Sequence, residues 1–553
     1  MSVKLRNIIS ATLNELYPGN KLNLQGLLQI KQNKDKYELK LPLKLVKNSF
    51  ASTDILNHIK NPHIESIKVD TQEISFLISN DSIKKSFSNA TDVSICNESK
   101  KFIVEFSSPN IAKPFHVGHL RSTIIGNFLS NLLQRVNHRV IKMNYLGDYG
   151  TQFGFLKAGI DMENLSDEKI KENPLQNLLR VYVAANTSED PCVAEKARKI
   201  FEIMEFGENA EIIEQWNKIR EYTLNELKLI YERLNVIYDS YEFESMYRRK
   251  NIEDVISLMQ EMKLLERETD EKIIVKVENR RVPFIKSDST TLYLTRDIAA
   301  FLKRKEKYEM DRIFYVVDNG QNDHFTAIKS VVNQLGFDSD SFIHHIKFGR
   351  IKGMSTRKGK IVFLKDILDE AKELMYKKQQ ESKTTKVDLS QCGESIADIL
   401  GTSAIIVNDL KQRRQRDYEF DWNKILQVTG DTGIKFQYTH CRLYSLQNQN
   451  SHIQEAEELN FDLLKEQEAQ QLIFLILKYP EIIYHSYEEL ESCILVKYTF
   501  DLCNVVSRAW KVLSVKNCEC KETASQRLYL FNTTRKVLKH SLDILGLKVL
   551  NEM

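Results

Sequence analysis

Two histidines in His116-Val117-Gly118-His119 stand just after an apolar run and at the start of a helical pattern. Imidazoles at that spacing share one face of a first helical turn, where unpaired backbone N–H groups and the helix dipole favour an anion. The chemistry this suits is a phosphate cradle, and Gly118 leaves room for a flat adenine ring against the backbone. The plain alternative is a pair of surface histidines at a helix start. A second segment, Gly353-Met354-Ser355-Thr356-Arg357-Lys358-Gly359-Lys360, sets cations and hydroxyls among glycines. Such a loop alone is commonly a solvated turn. Together with the first segment it suits the transient clamping of a triphosphate while charge develops on a leaving pyrophosphate. The chain has no GxxxxGK[ST], no GxGxxG after a strand and no HExxH, so P-loop ATPases, dinucleotide oxidoreductases and zincins lack their defining elements.

The elements that must position these residues are legible. Phe102 to Phe106 (FIVEF) is a short, almost wholly apolar strand of the kind buried on both faces of a parallel sheet. Ser107-Ser108-Pro109-Asn110 follows, and then a helix in which Leu120, Ile124, Phe128 and Leu132 recur every four residues. Val140 to Leu146 reads as the next strand, so the unit is βαβ and the architecture an α/β, Rossmann-type parallel sheet. From about 155 to 290 the pattern is mostly helical, and strand character is expected again only at Arg312 to Val317 and His344 to Ile351. Insertions hung from the sheet edge are the expectation. Beyond Phe363 the spacing predicts helices and no strand, hence an all-α bundle. Residues 1–98 mix short helical patterns with strand-like runs at Tyr37 to Leu43 and Glu73 to Leu77, a separate α+β module. The expected domains are therefore 1–98, 99–362 and 363–553.

The stretch Val104 to Gly154 (VEFSSPNIAKPFHVGHLRSTIIGNFLSNLLQRVNHRVIKMNYLGDYGTQFG) resembles class I arginyl-tRNA synthetases. Thr291 to Ala300 (TLYLTRDIAA), Val317 to Phe325 (VDNGQNDHF), the Met354 to Gly359 loop and Gly430 to Leu446 (GDTGIKFQYTHCRLYSL) look like the same family, in the same order. Length, the lack of a long N-terminal extension and the ending LDILGLKVLNEM make the chain most similar to mitochondrial members. The resemblance implies a two-step reaction: arginine and ATP give arginyl-adenylate and pyrophosphate, and the 2′-hydroxyl of the terminal adenosine of tRNA(Arg) then takes the arginyl group. Lys113, His116, Gly118, His119, Met354, Ser355, Arg357 and Lys358 are the residues expected around ATP, with Mg²⁺ carried by the nucleotide and no zinc. The class I pattern has lysines at the first and fourth places of the second loop, where this chain has Gly353 and Thr356; Lys113, just ahead of the HxGH, is assigned the missing phosphate role.

A planar guanidinium pairs bidentately with fixed carboxylates, so an arginine pocket requires them. By resemblance, Tyr293 and Asp297 line that pocket and Glu244 adds a second carboxylate. Asn110 and Gln321 match contacts with the α-amino and carboxylate end, and Glu105 lies beside them. Each has a plainer reading: Tyr293 as a core aromatic, Asp297 as partner of Arg296, Glu244 as a surface acid, Gln321 as a loop amide, Asn110 as a turn residue, Glu105 as a cap. The run Lys411, Arg413, Arg414, Arg416 and the interleaved Phe436, Tyr438, His440, Arg442, Tyr444 are of a kind that neutralises phosphates and stacks bases. The resemblance assigns Tyr438, Arg442, Trp510 and Met553 to the anticodon and residues 1–98 to the D-arm region of the tRNA.

Composition limits the alternatives. The 553 residues exceed a single typical domain, and 42% hydrophobic with 28% charged residues is ordinary for folded proteins. A net charge of +3 identifies no partner, so partners must be read from local patches. The cysteines form no paired CxxC, which argues for a reducing compartment and against a structural zinc. The longest purely apolar run, Leu472 to Leu477, is far short of the ~20 residues of a membrane span. Met1 to Asn14 is basic and free of acids, which fits an organellar presequence or a basic first helix equally. A mitochondrial matrix location, with the cytoplasm as alternative, and a monomer are expected. A nucleotidylyltransferase with the same histidine cradle would need no long helical C-terminal domain, and a non-catalytic tRNA-binding relative would show damage at the histidines or Asp297.

Overall fold

The computed structural model describes residues 3–16, 27–33, 36–45, 61–96, 98–111, 115, 117–206, 209–247, 250–268, 271–286, 291–353, 363–381, 392–427 and 430–553. Lys113, His116 and the Met354 to Lys358 segment lie outside these residues.

Near the N-terminus, strands β1 (Gln29–Asn33), β2 (Lys36–Pro42), β3 (Ile64–Val69) and β4 (Glu73–Ile78) form an antiparallel sheet in the order β1-β2-β4-β3. Alternation in β4 buries Ile74, Phe76 and Ile78 on one face. The module is docked on the helix Gln467–Glu489 by charge. Arg6 Nη2 meets Glu481 Oε2 at 2.6 Å, and the same oxygen accepts from Ile30 N at 3.0 Å. Tyr37 Oη donates to Gln470 Oε1 at 3.1 Å.

The central sheet contains β5 (Lys101–Glu105), β6 (Arg139–Leu146), β7 (Ser240–Phe243), β11 (Arg312–Asp318) and β12 (Ile343–Phe348), all parallel, in the order β12-β11-β5-β6-β7. The chain leaves β5 towards β6 on one side and returns to β11 on the other. β5 therefore sits at the switch point, where an open α/β sheet leaves a crevice beyond its carboxyl ends. The helix Val117–Arg135 crosses the sheet so closely that a Cβ at Gly126 would overlap the Phe106 ring.

Two expectations are corrected. The segment 155–290 does carry helices, among them Thr151–Glu163, Pro174–Asn186, Pro191–Phe206 and Ala210–Arg233. It also supplies β7 to the central sheet and an antiparallel sheet of β8 (Leu265–Arg267), β9 (Ile273–Val277) and β10 (Arg280–Ile285). β10 carries Pro283, which argues against a strand when read alone. It is tolerated because β10 is an edge strand and its register shifts at that residue. β7 has only four residues, too few to show a period. Beyond Phe363 the described residues include one short strand, β14 (Tyr418–Glu419), paired with β13 (Ile351–Lys352). The long elements of that region are helices: Leu364–Glu381, Gly393–Leu410, Gly433–Gln449, Gln467–Glu489, Ser492–Val512 and Lys521–Ile544. Among the described residues no helix is long and apolar enough to cross a membrane.

Glu481→Ala should leave the buried Arg6 guanidinium without its counter-charge. Denaturant unfolding is expected to show a loss of about 3–5 kcal/mol in the N-terminal module's docking. An unchanged midpoint would mean the pair carries none of it.

Candidate functional site

Past Glu105 the backbone turns sharply: Ser107 and Ser108 both adopt left-handed conformations, at φ 70° and 43°. Such conformations cost non-glycine residues about 1 kcal/mol or more each and persist where neighbours hold them. Here Ser107 N donates to Ser122 Oγ at 2.9 Å and Ser108 N to Asn144 Oδ1 at 3.1 Å. Ser107 Oγ and Tyr231 Oη share a hydrogen bond of 2.8 Å. The following residues are stitched to the end of β6, with Ile111 N donating to Gly147 O at 3.0 Å and Gly147 N to Pro109 O at 3.1 Å. That stitching sets Asn110 beside Gly147.

A cavity of about 770 Å³ opens beyond the carboxyl ends of β5, β6, β11 and β12. Glu105, Asn110, Gly118, His119, Glu244, Tyr293, Asp297 and Gln321 all line it. They come from four separate stretches of chain. His119, in the first turn of Val117–Arg135, stacks on Phe115 with centroids 5.3 Å apart. Gln321 sits on the exposed turn after β11, where Asp318 Oδ1 accepts from Gly320 N at 2.6 Å. Tyr293 and Asp297 open the helix Tyr293–Tyr308; Tyr293 is 61% exposed at the cavity mouth, so it is not a core aromatic. Glu244 is buried, not a surface acid. It is placed by its neighbour: Ser245 N and Oγ donate to the carboxylate of Asp148, after β6, at 2.9 and 2.7 Å.

Three of the carboxylates that line the cavity, Glu105, Glu244 and Asp297, each face a built-in cation. Glu105 Oε2 lies 2.5 Å from Arg304 Nη1, and Arg304 Nε reaches Glu242 Oε2 at 2.8 Å. Glu244 is hydrogen-bonded to Arg296, whose guanidinium also lies 4.9 Å from the Tyr149 ring centroid. Asp297 Oδ2 meets His324 Nε2 at 2.6 Å, so its partner is His324 and not the adjacent Arg296. Burial pushes the carboxyls of Glu105 and Glu244 up to about 7, against the pull of Arg304 and Arg296. Burial alone would lower the His324 imidazole; the hydrogen bond and charge of Asp297 outweigh it and raise it. The buried Tyr145 hydroxyl, also on the cavity wall, makes no hydrogen bond among the described residues.

The arrangement can take a cation against Asp297 and Glu244 at one end and an anion against the first turn of Val117–Arg135 at the other. Among the described residues there is no group of three His, Cys, Asp or Glu that could hold a metal ion. Arg296, Arg304, Glu242, Asp148 and His324 were not singled out from sequence. His324 stood in view in VDNGQNDHF; Glu105 and Arg304 are linked only by the fold.

The site is bolted to the helical region by Arg121, which is buried. Its Nε lies 3.3 Å from Asp409 Oδ2 and its Nη1 donates to Arg416 O at 2.9 Å; Tyr418 Oη completes the set on Asp409 at 2.9 Å. This corrects the reading of the Lys411 to Arg416 run as one cationic face. Arg414 turns inward, with its Nη1 on Lys347 O at 3.0 Å and its N on Glu491 Oε2 at 3.1 Å, while Arg413 and Arg416 stay exposed.

On Gly433–Gln449 the interleaved residues divide. Phe436 and His440 are fully buried, and His440 Nδ1 bonds Leu550 O at 2.8 Å. Tyr438 is 47% exposed, and the Arg442 guanidinium lies 5.4 Å from its ring centroid and 4.2 Å from that of Trp510. Gln437 holds the last residues in place, accepting from Leu550 N at 3.0 Å and donating to Lys548 O at 2.8 Å. Met553 packs partly buried against the core.

Residues 82–422 match the family model described as tRNA synthetases class I (R), catalytic domain, and residues 436–553 that of the DALR anticodon binding domain. The chain is 38% identical over 455 residues to the probable mitochondrial arginine–tRNA ligase of Homo sapiens, covering 81% of this chain and 78% of that one. It is 39% identical over 473 residues to the cytoplasmic arginine–tRNA ligase of Saccharomyces cerevisiae, covering 82% and 77%. The crystal structure of arginyl-tRNA synthetase from Plasmodium falciparum is similar with a TM-score of 0.78 at 26% identity, over 100% of this chain and 98% of that one.

Arg304→Met should strand Glu105 and Glu242 in a buried site. A loss of about 3–5 kcal/mol is expected in chemical denaturation, partly restored by adding Glu105→Gln. Additive losses in the double variant would refute the pairing.

Proposed function

The chain belongs to the class I arginyl-tRNA synthetases, and from that premise we propose how its residues divide the work of an arginine–tRNA ligase. The enzyme joins L-arginine to tRNA(Arg) with ATP as co-substrate. Arginine's carboxylate attacks the α-phosphate of ATP, giving arginyl-adenylate and pyrophosphate; the terminal 2′-hydroxyl of the tRNA then displaces AMP. An ionised carboxylate needs no general base, so the first step calls for alignment and for charge around the phosphates.

The observation that carries the assignment of residues is the single cavity lined by eight of the candidates at the carboxyl ends of the sheet. In this proposal Asp297 and Glu244 take the guanidinium, with Tyr293 closing over it at the mouth. Asn110 and Gln321 hold the α-amino and carboxylate end, and Glu105 acts from behind through its pair with Arg304. Gly118 and His119 receive ATP, joined by Lys113 and His116 and by Met354, Ser355, Arg357 and Lys358 from the second loop. Mg²⁺ enters on the phosphates of ATP, and zinc has no part. Tyr438, Arg442, Trp510 and Met553 meet the anticodon: a guanidinium between two aromatic rings offers stacking surfaces and positive charge together. Residues 1–98 meet the D-arm, 99–362 perform catalysis and 363–553 read the anticodon. The enzyme acts as a monomer away from membranes, in the mitochondrial matrix with the cytoplasm as the alternative; similarity to ligases of both compartments supports either.

Charging assays with total tRNA should give product with arginine alone among the standard amino acids. Asp297→Ala should raise the KM for arginine by roughly 100-fold or more, since it removes one partner of a desolvated charge pair. Arg442→Ala should instead raise the KM for tRNA by roughly tenfold and leave that for arginine unchanged. Charging with another amino acid, or an arginine effect from Arg442, would overturn the respective assignment.

A further inference from the structure

The cations facing Glu105, Glu244 and Asp297 are not alike. Two of them, Arg304 and Arg296, are guanidiniums. The third, His324, stands 2.6 Å from Asp297 and can lose its charge by giving up one proton. Both side chains line the cavity, and each is about one-quarter exposed, so the pair is open to a ligand on one side. In the proposed function Asp297 is the carboxylate that receives the substrate's guanidinium, and the inference rests on that reading. Two cations brought against the Asp297 carboxylate repel each other at close range, which favours departure of the His324 proton.

We propose that His324 is the placeholder for the arginine guanidinium: its imidazolium holds Asp297 while the pocket is empty, and arginine takes the carboxylate over as that proton departs. The N–H bond at Nε2 breaks, its electron pair stays on nitrogen, and the proton passes to solvent or buffer. No redox partner is involved. The nitrogen lone pair that remains can accept an N–H from the guanidinium, so the discharged imidazole still orients the substrate. The empty pocket is spared an uncompensated carboxylate, and Asp297 keeps the rotamer the substrate needs. Selectivity follows as well. A neutral isostere such as citrulline has no charge with which to displace the proton and meets a carboxylate already engaged.

The groups around His324 set the pH window. Asp297 meets it from the helix Tyr293–Tyr308, and Tyr293, Asp318, Arg350, Glu105 and Glu244 line the same cavity. Asp323 on its own helix points to Arg280 of β10, at 3.8 Å. His345 of β12, stacked on Phe325, is pushed down to about 4 by burial and stays neutral. Asp297 raises the His324 imidazole. Below that raised value, protons compete with arginine, and the KM for arginine should rise by up to about tenfold for each pH unit of acidification; above it the competition vanishes. Glu105 and Glu244, pushed up to about 7 by burial, also gain protons on acidification and would weaken arginine binding in the same direction, so the test must separate them from His324.

The decisive measurement is the pH profile of arginine KM and kcat in ATP–pyrophosphate exchange with tRNA present, for wild type, His324→Gln and Asp297→Asn. His324→Gln should take about one unit of slope out of the acid limb of log KM, without altering the shape of the kcat profile. A wild-type slope in His324→Gln would assign the limb to the carboxyls and overturn the placeholder, even though Asp297→Asn raised KM as the binding site requires. A wild-type KM in Asp297→Asn would instead overturn the arginine-site reading itself. Calorimetry on the wild-type enzyme with tRNA needs no variant to fold. On the acid side, arginine binding should release about one proton, read from heats in buffers of different ionisation enthalpy, while citrulline releases none. Heats independent of the buffer, or the same release with citrulline, would overturn the proposal.

Discussion

A pocket for a guanidinium must keep carboxylates partly out of water before the guanidinium arrives, and an unpaired buried carboxylate is among the costliest groups a fold can hold. The chain meets this constraint with cations of its own. Arg304 spans Glu105 and Glu242, Arg296 takes Glu244, and His324 takes Asp297. The pocket is thus a lattice of alternating charge, in which the proposed placement has the substrate replace one member. Three of its members, Arg296, Asp297 and Arg304, lie on the single helix Tyr293–Tyr308, so the orientation of that helix sets the pocket's electrostatics.

The same logic extends beyond the pocket. Arg121 grows from the helix whose first turn carries Gly118 and His119, and it is fixed on Asp409 from the helical region. Arg6 is fixed on Glu481, joining the N-terminal module to that region too. Each seam is a buried guanidinium on a carboxylate, directional and intolerant of slippage. The near-neutral net charge of +3 reflects this economy in part: many of the cations and anions serve each other across interfaces, and only a local remainder faces the substrates.

On the helix Gly433–Gln449 the arrangement is different. Arg442 has no carboxylate partner among its described contacts and lies between Tyr438 and Trp510, with Tyr438 open to solvent. A guanidinium presented on aromatic rings keeps its charge available, as the proposed RNA contact requires, whereas the pocket cations are paired inside. Arg413 and Arg416 follow the same rule on the surface, and Arg414 follows the pocket's.

Sequence alone determined the βαβ unit around FIVEF, the helix after HVGH, the family, and the candidates that turned out to share one cavity. These depend on local spacing, on apolar periodicity and on residue types that only one chemistry requires. The antiparallel sheet β8–β10 and the four-residue β7 were not legible, because an edge strand with a proline and a strand of only two periods carry too little pattern of their own. Nor was it legible that Asp297 would pair with His324 rather than with its neighbour Arg296, that Glu244 would be buried, or that Arg414 would turn inward. Ion pairing is decided by which side chains the packed elements bring within about 3 Å, far apart in sequence, and only the tertiary structure settles that.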